Sequence, residues 1–188
     1  MSPRLRRALI AGGVLLWAGV AGLGLREMFA EATTAGDMVD APERWPATTR
    51  LPRGDGFTIA MFVHPDCPCS RASLGELAAI AASSSATLVI VVAGADAEGE
   101  IWDAAGQIAG AVRVVDDGRE AARFGARTSG YTVVYDRDGL RRFAGGITGS
   151  RGHVGDNVGR DTVQRIVAGH GSQLRSHAVF GCALGGAR

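Results

Sequence analysis

The sequence predicts an α/β domain with a mixed β-sheet flanked by helices, preceded by one membrane-spanning helix. Short apolar runs of strand length alternate with stretches that have the apolar spacing of a helix. Two strand-like segments flank Arg137-Asp138-Gly139, and an Asp-Gly pair in such a place indicates a β-hairpin. The first part of the chain holds an 18-residue run without charge, which is long enough to cross a bilayer.

The composition is that of a globular protein, and it excludes some functions. Of 188 residues, 46% are hydrophobic and 21% are charged. The net charge of +1 gives no electrostatic basis for binding nucleic acid. All 20 basic residues are arginine. Because the chain has no lysine, it cannot form a lysine Schiff base or build a lysine-containing phosphate loop.

The first 36 residues have the pattern of a membrane anchor or a secretion signal. Three arginines within residues 4–7 precede the uncharged run at 8–25. That run exceeds the usual apolar core of a signal peptide and reaches the lower limit for a membrane span, so we expect an uncleaved anchor. Residues 30–32 (Ala-Glu-Ala) leave a cleaved signal open. With the basic start inside, either interpretation predicts a bacterial inner-membrane, single-pass protein or an exported one, with its domain in the periplasm.

The rest of the chain has the element order β-α-β-α-β-α-β-β-α. The predicted strands are 57–63, 87–93, 111–115, 131–136 and 140–144, and the predicted helices are 70–82, 100–108, 119–124 and 162–168. Crossovers followed by a hairpin predict a mixed sheet with helices on both faces. Residues 37–54 contain three prolines and little periodicity, so we predict a tether. Residues 55–170 then form the domain, and 171–188 form a cysteine-containing tail.

The candidate site is the stretch HPDCPCS at 64–70, between the first strand of the domain and the next helix. Cys67 and Cys69 are therefore placed at a helix N-terminus, where free backbone N–H groups and the helix dipole stabilise a thiolate. Pro68 narrows the distance range between the two sulfurs. Three cysteines cannot all pair within the chain, so the thiols are more typical of reactive groups than of a disulfide framework.

Two pairings of the thiols stay open. Cys67 and Cys69 are near enough in sequence to bond, but the small ring would strain the disulfide and make it easy to reduce. Cys182 lies in a tail rich in small residues (VFGCALGGAR) that can fold back over the site. A metal site is the alternative, because His64 with Cys67 and Cys69 offers donors that suit copper. A redox site would need no cofactor, and His64 would stabilise the thiolate there.

A glycine-rich loop at 149–157 is the second candidate region. Arg151, His153, Asp156 and Asn157 give it a dense set of polar groups that can line a site. In the alternative interpretation the loop is solvated, and Asp156 or Asn157 caps the last helix.

These motifs together resemble the thioredoxin superfamily, through FVHPDC followed by a helix and through the hairpin segment FGARTSGYTVVYDRDGLRRFAGG. More closely, HPDCPCSRAS, GGITGSRGHVGDN and VFGC are similar to the membrane-anchored, RedB-like thioredoxin-fold proteins. The resemblance implies a thioredoxin-like fold and thiol–disulfide exchange. The sequence departs from the superfamily pattern twice. The second cysteine of C-x-x-C falls on Ser70, and the usual cis-proline falls near Gly130.

The predicted function is a membrane-anchored, periplasm-facing thiol–disulfide oxidoreductase whose catalytic thiols are Cys67, Cys69 and Cys182. Its partners would be the membrane, through the N-terminal helix, and a protein that carries thiols or a disulfide. One alternative is a periplasmic protein that handles copper or matures a complex on the same fold. The other alternative is a thioredoxin-fold scaffold without catalytic activity.

Overall fold

The chain, described by a computed structural model over residues 2–94 and 97–185, divides into two compact units that meet at residues 34 and 35. The first unit is helix α1 (Pro3–Thr33). Its 31 residues exceed the length that crosses a hydrocarbon core of about 30 Å. Within the described residues it is the one helix long and apolar enough to span a membrane, and its large apolar side chains are exposed. Helix α1 is therefore consistent with the predicted anchor.

The second unit is built on a six-stranded sheet with the order β3-β2-β1-β4-β5-β6. The strands are β1 (Thr58–Val63), β2 (Thr87–Ala93), β3 (Ala111–Asp116), β4 (Tyr131–Tyr135), β5 (Arg141–Gly145) and β6 (Ser176–His177). Strands β1, β2 and β3 are parallel, whereas β4 runs antiparallel to both β1 and β5. The predicted mixed sheet is confirmed, and its architecture is thioredoxin-like.

Helices cover both faces of the sheet, as predicted. They are α2 (Pro68–Ala81), α3 (Glu100–Gly106), α4 (Arg119–Arg123) and α5 (Val158–Val167). Apolar residues of α2, α3 and α5 share one core cluster, and α4 contributes to the cluster on the opposite face. Strand β1 is buried along its whole length, because Ile59 and Met61 face the first cluster while Ala60 and Phe62 face the second.

Two helices begin earlier than the sequence predicts. Helix α2 begins at Pro68 rather than at residue 70, since a proline is favoured in the first turn, where its missing N–H costs nothing. Helix α5 begins at Val158, four residues before the predicted start at 162. Its N-cap is Asn157, whose side chain accepts a hydrogen bond from the Arg160 N–H at 2.8 Å, so the predicted capping role of Asn157 is confirmed.

Residues 37–54 pack on the domain, in contrast to the predicted tether. The Trp45 ring lies edge-on to Phe124 and Tyr135, with ring centroids 5.1 and 5.3 Å apart. The Tyr135 hydroxyl donates to the Pro42 carbonyl at 2.7 Å. The prolines therefore shape a packed extended segment, because the aromatic core provides a surface that local sequence patterns do not reveal.

The described part of the C-terminal tail is also docked. Strand β6 pairs with β5, and Val179 is fully buried in the core. The Val179 carbonyl accepts a hydrogen bond from the Gly36 N–H at 2.8 Å. The last three residues of the predicted tail, 186–188, lie outside the described residues.

Candidate functional site

Cys67 lies at the turn between β1 and α2. The Cys67 N–H donates to the His64 carbonyl at 3.3 Å, and the Cys67 carbonyl accepts from the Ser70 N–H at 2.9 Å. These bonds make Cys67 the N-cap of α2, with Pro68 following in the first turn. Its side chain is buried, with 1% exposed, at the positive end of the helix dipole.

All three cysteines come together as free thiols. Cys182 and Cys69 both lie close enough to Cys67 for the three side chains to act on one another's pKa. Cys69 and Cys182 are partly exposed, whereas Cys67 is buried. The sequence left two pairings open, Cys67–Cys69 and Cys67–Cys182. Both involve Cys67, and in both the partner cysteine lies near its sulfur.

The pKa of Cys67 is lowered although the side chain is buried. Burial acts to raise this pKa. The hydrogen bond from the Cys182 side chain and the backbone N–H groups of Cys182, Cys69 and Ser70 act against burial and prevail. The sulfur makes no regular capping hydrogen bond at the N-terminus of α2.

The pKa values of the other two thiols are raised. Burial is the largest cause for Cys69, followed by the charge of Cys67 and the hydrogen bond to it. Burial and then the hydrogen bond to Cys67 raise the pKa of Cys182 to about 12. Since the three groups titrate together, the cluster favours one thiolate, and that thiolate is on Cys67. The raised pKa values of Cys69 and Cys182 mean that these two thiols keep their protons.

The loop at 149–157 reaches the thiols through two of its residues. The Gly152 backbone acts to lower the pKa of Cys69, and the positive charge of Arg151 acts to lower the pKa of both Cys69 and Cys182. His153 is exposed, and its N–H donates to the Ser150 carbonyl at 3.3 Å. Of the four polar residues that the sequence analysis named in this loop, Arg151 acts on the cysteines.

The other two polar residues of that loop serve helix α5. Asn157 caps the helix, and Asp156 is an exposed partner of Arg160, with an Nη2–Oδ1 distance of 2.7 Å. The hydrogen bond with Asp156 is the first cause that raises the pKa of Arg160, and burial opposes it.

A buried ion pair that the sequence analysis missed fastens the loop to α2. Glu76 is 1% exposed, and its carboxylate accepts from Arg160 Nη1 at 3.0 Å and from the Gly155 N–H at 2.5 Å. A signal was available in the sequence. Glu76 lies three residues after Ser73 and four before Ile80, so a charged side chain falls on the buried face of α2.

Ser70, at the position of the usual second cysteine, hydrogen-bonds both to the residue after β1 and to a residue just before β4. Its hydroxyl donates to the His64 carbonyl at 2.8 Å and lies 2.8 Å from the Ser129 hydroxyl. The Ser129 hydroxyl also accepts from the His64 N–H at 2.9 Å. Ser70 and Ser129 are both buried, so this network fixes the turn that carries Cys67.

The His64 side chain bonds within its own turn. Its Nδ1 accepts from the Asp66 N–H at 3.1 Å. Across residues 2–94 and 97–185, no three His, Cys, Asp or Glu side chains are arranged to hold a metal ion. The alternative copper set of His64, Cys67 and Cys69 is therefore not assembled in this structure.

Gly130 lies close to helix α2, just before strand β4. Its φ is +89°, in the left-handed region that favours glycine, and its N–H donates to the Phe62 carbonyl at 2.8 Å. A Cβ at this position would come within 2.6 Å of the Ser73 hydroxyl. Both the backbone angle and the close approach to Ser73 favour glycine at position 130.

A cavity of about 550 Å³ opens beside Cys67. The turn at 65–68 forms one side, and the residues after β2 together with the start of α3 form the other. An exposed ion pair between Arg71 and Glu100, 2.5 Å apart, lies among its lining residues. The cavity gives the reactive turn an open neighbourhood although the Cys67 side chain itself is covered.

No protein-family model and no curated protein matches the sequence. Among solved structures, an uncharacterised conserved protein from Geobacillus kaustophilus has 17% identity and a TM-score of 0.58, covering 81% of this chain and 92% of its own. A hypothetical protein from Sinorhizobium meliloti 1021 has 18% identity and a TM-score of 0.50, covering 81% and 93%. A secreted Mycobacterium tuberculosis disulfide oxidoreductase, homologous to E. coli DsbE, has 20% identity and a TM-score of 0.43, covering 61% and 82%. The first two show a shared fold and nothing about activity.

Proposed function

We propose that this protein is a membrane-anchored, periplasm-facing thiol–disulfide oxidoreductase of the RedB-like kind. The observation that carries the proposal is the thiol cluster: Cys67 is buried at the N-terminus of α2, Cys69 follows in the first turn, and the bond from the Ser129 N–H to the Cys182 carbonyl holds the tail cysteine nearby. The pKa of Cys67 is lowered there. A thiolate is the nucleophile of disulfide exchange, and a second thiol must lie within reach to resolve the mixed disulfide. The cluster supplies both.

The exchange runs in two steps. The Cys67 thiolate attacks one sulfur of a client disulfide; the client S–S bond breaks, a mixed disulfide forms, and the other client sulfur leaves as a thiolate. That thiolate takes the proton of Cys182, whose sulfur then attacks Cys67 and releases the second client sulfur. The client gains the two electrons that the new Cys67–Cys182 disulfide has lost. A dithiol on a partner protein restores the pair, and the same steps in reverse oxidise a client dithiol.

The resolving thiol is assigned to Cys182 rather than to Cys69. Cys69 is in the first turn of α2, two residues from Cys67, so a disulfide between them closes a small and strained ring. Cys182 comes from a separate segment without that restriction. After burial, its hydrogen bond is the largest influence on the pKa of Cys67.

The periplasmic location rests on helix α1. Arginines cluster at its start, within residues 4–7, and positive flanks stay on the cytoplasmic side. The domain from residue 35 onward would then face the periplasm, where disulfides persist. An alkaline phosphatase fused after residue 54 is active only outside the cytoplasm, so an inactive fusion would refute this location.

The test of the function counts free thiols in the full chain in detergent. Protein treated with oxidised glutathione is alkylated with iodoacetamide and weighed by mass spectrometry, for wild type and for the three single Cys→Ser variants. We expect wild type and Cys69→Ser to lose two thiols as an internal disulfide, and Cys67→Ser and Cys182→Ser to form none. An internal disulfide in Cys182→Ser would assign the pair to Cys67 and Cys69. Three thiols that stay free in wild type would refute the oxidoreductase function.

A further inference from the structure

The C-terminal tail lies as an extended strand against residues 127–129, immediately before β4. The Ser129 N–H donates to the Cys182 carbonyl at 2.8 Å, and the Leu184 N–H donates to the Arg127 carbonyl at 2.8 Å. Between these two bonds, the tail and the domain form an antiparallel β-bridge. This main-chain pairing brings the Cys182 side chain to Cys67.

The bonds that hold the tail use backbone atoms only, so any extended peptide can form them. A peptide that paired with residues 127–129 in the same register would place its own cysteine at Cys67. We propose that the tail occupies the groove that receives the cysteine-bearing segment of a client, so that tail and client compete for it. This inference rests on the proposed function and defines its substrate class as an extended peptide segment.

The groove also limits which segments fit. Gly181, the residue before the tail cysteine, is buried, and a Cβ there would come within 2.1 Å of the Ser129 carbonyl oxygen. Because that atom belongs to the backbone, it cannot give way like a flexible side chain. Leu184, two residues after the cysteine, packs against the core cluster on that side of the sheet. A fitting client therefore has glycine before its cysteine and an apolar residue two positions after it.

The tail can leave the groove without unfolding the domain. Val179 is fully buried and holds the tail in the core, and its carbonyl is bonded to the Gly36 N–H. Beyond it, Cys182 and Leu184 are partly exposed, and Ala183 is exposed. Release of the segment after Val179 breaks the two main-chain bonds to residues 127–129 and leaves the core intact.

The experiment displaces the tail from the groove by adding one methyl group to the tail. Gly181→Ala places a Cβ against the Ser129 carbonyl and expels the tail, whereas Gly185→Ala is a matched control because a Cβ at 185 meets no atom within 4 Å. The probes are the peptides Phe-Gly-Cys-Ala-Leu and Phe-Val-Cys-Ala-Leu, each carrying thionitrobenzoate on its cysteine through a disulfide. Attack by Cys67 releases coloured thionitrobenzoate, and Cys67→Ser supplies the blank rate.

Each peptide rate is divided by the rate of the same protein with a small disulfide that has no peptide backbone, which removes the change in Cys67 pKa that follows loss of Cys182. On that scale we expect Gly181→Ala to react with the glycine peptide about 10-fold faster than wild type, and Gly185→Ala to match wild type. Within each protein the glycine peptide should react about 10-fold faster than the valine peptide. This ratio does not depend on the pKa of Cys67, because both peptides meet the same thiolate. A ratio near one, or equal rates for Gly181→Ala and wild type, would overturn the competition between tail and client.

A third probe distinguishes failure of the groove assignment from failure of the proposed oxidoreductase function. The mixed disulfide of 2-mercaptoethanol and thionitrobenzoate has no peptide backbone to pair with the groove. If it reacts at Cys67 while the two peptides are not distinguished, the groove assignment fails and the oxidoreductase function stands. If none of the three probes reacts above the blank, the function itself fails. Should Gly181→Ala not fold, Leu184→Pro removes the N–H that bonds Arg127 and must give the same acceleration.

Discussion

The buried pair of Glu76 and Arg160 should be a main support of the candidate site, and removing one partner tests this. Arg160→Met leaves a carboxylate that is 1% exposed with the Gly155 N–H as its remaining partner among the bonds described above. Breaking a buried ion pair in this way costs about 3–5 kcal/mol of unfolding free energy. The Arg160 side chain is 16% exposed, so water offsets part of the loss, and we expect about 3 kcal/mol.

The double variant Glu76→Leu/Arg160→Met sharpens the test. Replacing both members of a buried pair with apolar residues is often nearly neutral, since no uncompensated charge remains. We therefore expect the double variant to lose only about 1 kcal/mol, less than the single Arg160→Met. With the other single variant, Glu76→Leu, the three losses complete a double-mutant cycle and give the coupling energy of the pair.

The assay is urea unfolding of the full chain in detergent, followed by near-ultraviolet circular dichroism. A thermal melt gives a second measurement: for a domain of this size, a loss of 3 kcal/mol in unfolding free energy lowers the melting temperature by roughly 6–12 °C. Glu100→Gln is the control, because its ion pair with Arg71 is 63–69% exposed and its loss should change stability by less than about 0.5 kcal/mol. If Arg160→Met is as stable as that control, the pair does not hold the loop to α2.

Two further predictions concern the loop and the segment before the domain. Arg151→Gln removes the charge that acts to lower the pKa of Cys69, so alkylation of Cys69 should begin at higher pH, while the exposed Arg119→Gln leaves the profile unchanged. An unshifted pH profile, read peptide by peptide by mass spectrometry, would contradict the assigned role of Arg151. Trp45→Ala should lower the unfolding free energy in urea by about 2 kcal/mol through lost aromatic packing. A loss below about 0.5 kcal/mol would mean that residues 37–54 behave as a tether after all.

The sequence predicts the central elements well because their patterns are local. Strands β1 and β2 are continuous apolar, β-branched runs, and their predicted bounds agree with the structure to within one residue. Strand β6 was not predicted because it consists of Ser176 and His177 alone, which have no strand pattern. It exists through its pairing with β5, and such long-range pairing leaves no trace in a short window of sequence.

The residues of the candidate site were likewise predictable where their motif is local and not where long-range contacts bring them together. Cys67 and Cys69 were found because their motif lies at one strand-to-helix turn. That Cys182 joins them depends on the docked tail, which connects parts of the chain 115 residues apart. The ion pair of Glu76 and Arg160 was likewise not predicted, because its members are far apart in sequence and meet only in the folded domain.

The separation of 115 residues between Cys67 and Cys182 sets an order of events during synthesis. Cys67 is made 115 residues before Cys182, which at about 5–20 residues per second is an interval of roughly 6–23 s. Throughout that interval Cys67 lacks the hydrogen bonds from Cys182 that act to lower its pKa. A chain that has not yet added Cys182 therefore holds Cys67 with a pKa nearer its ordinary value.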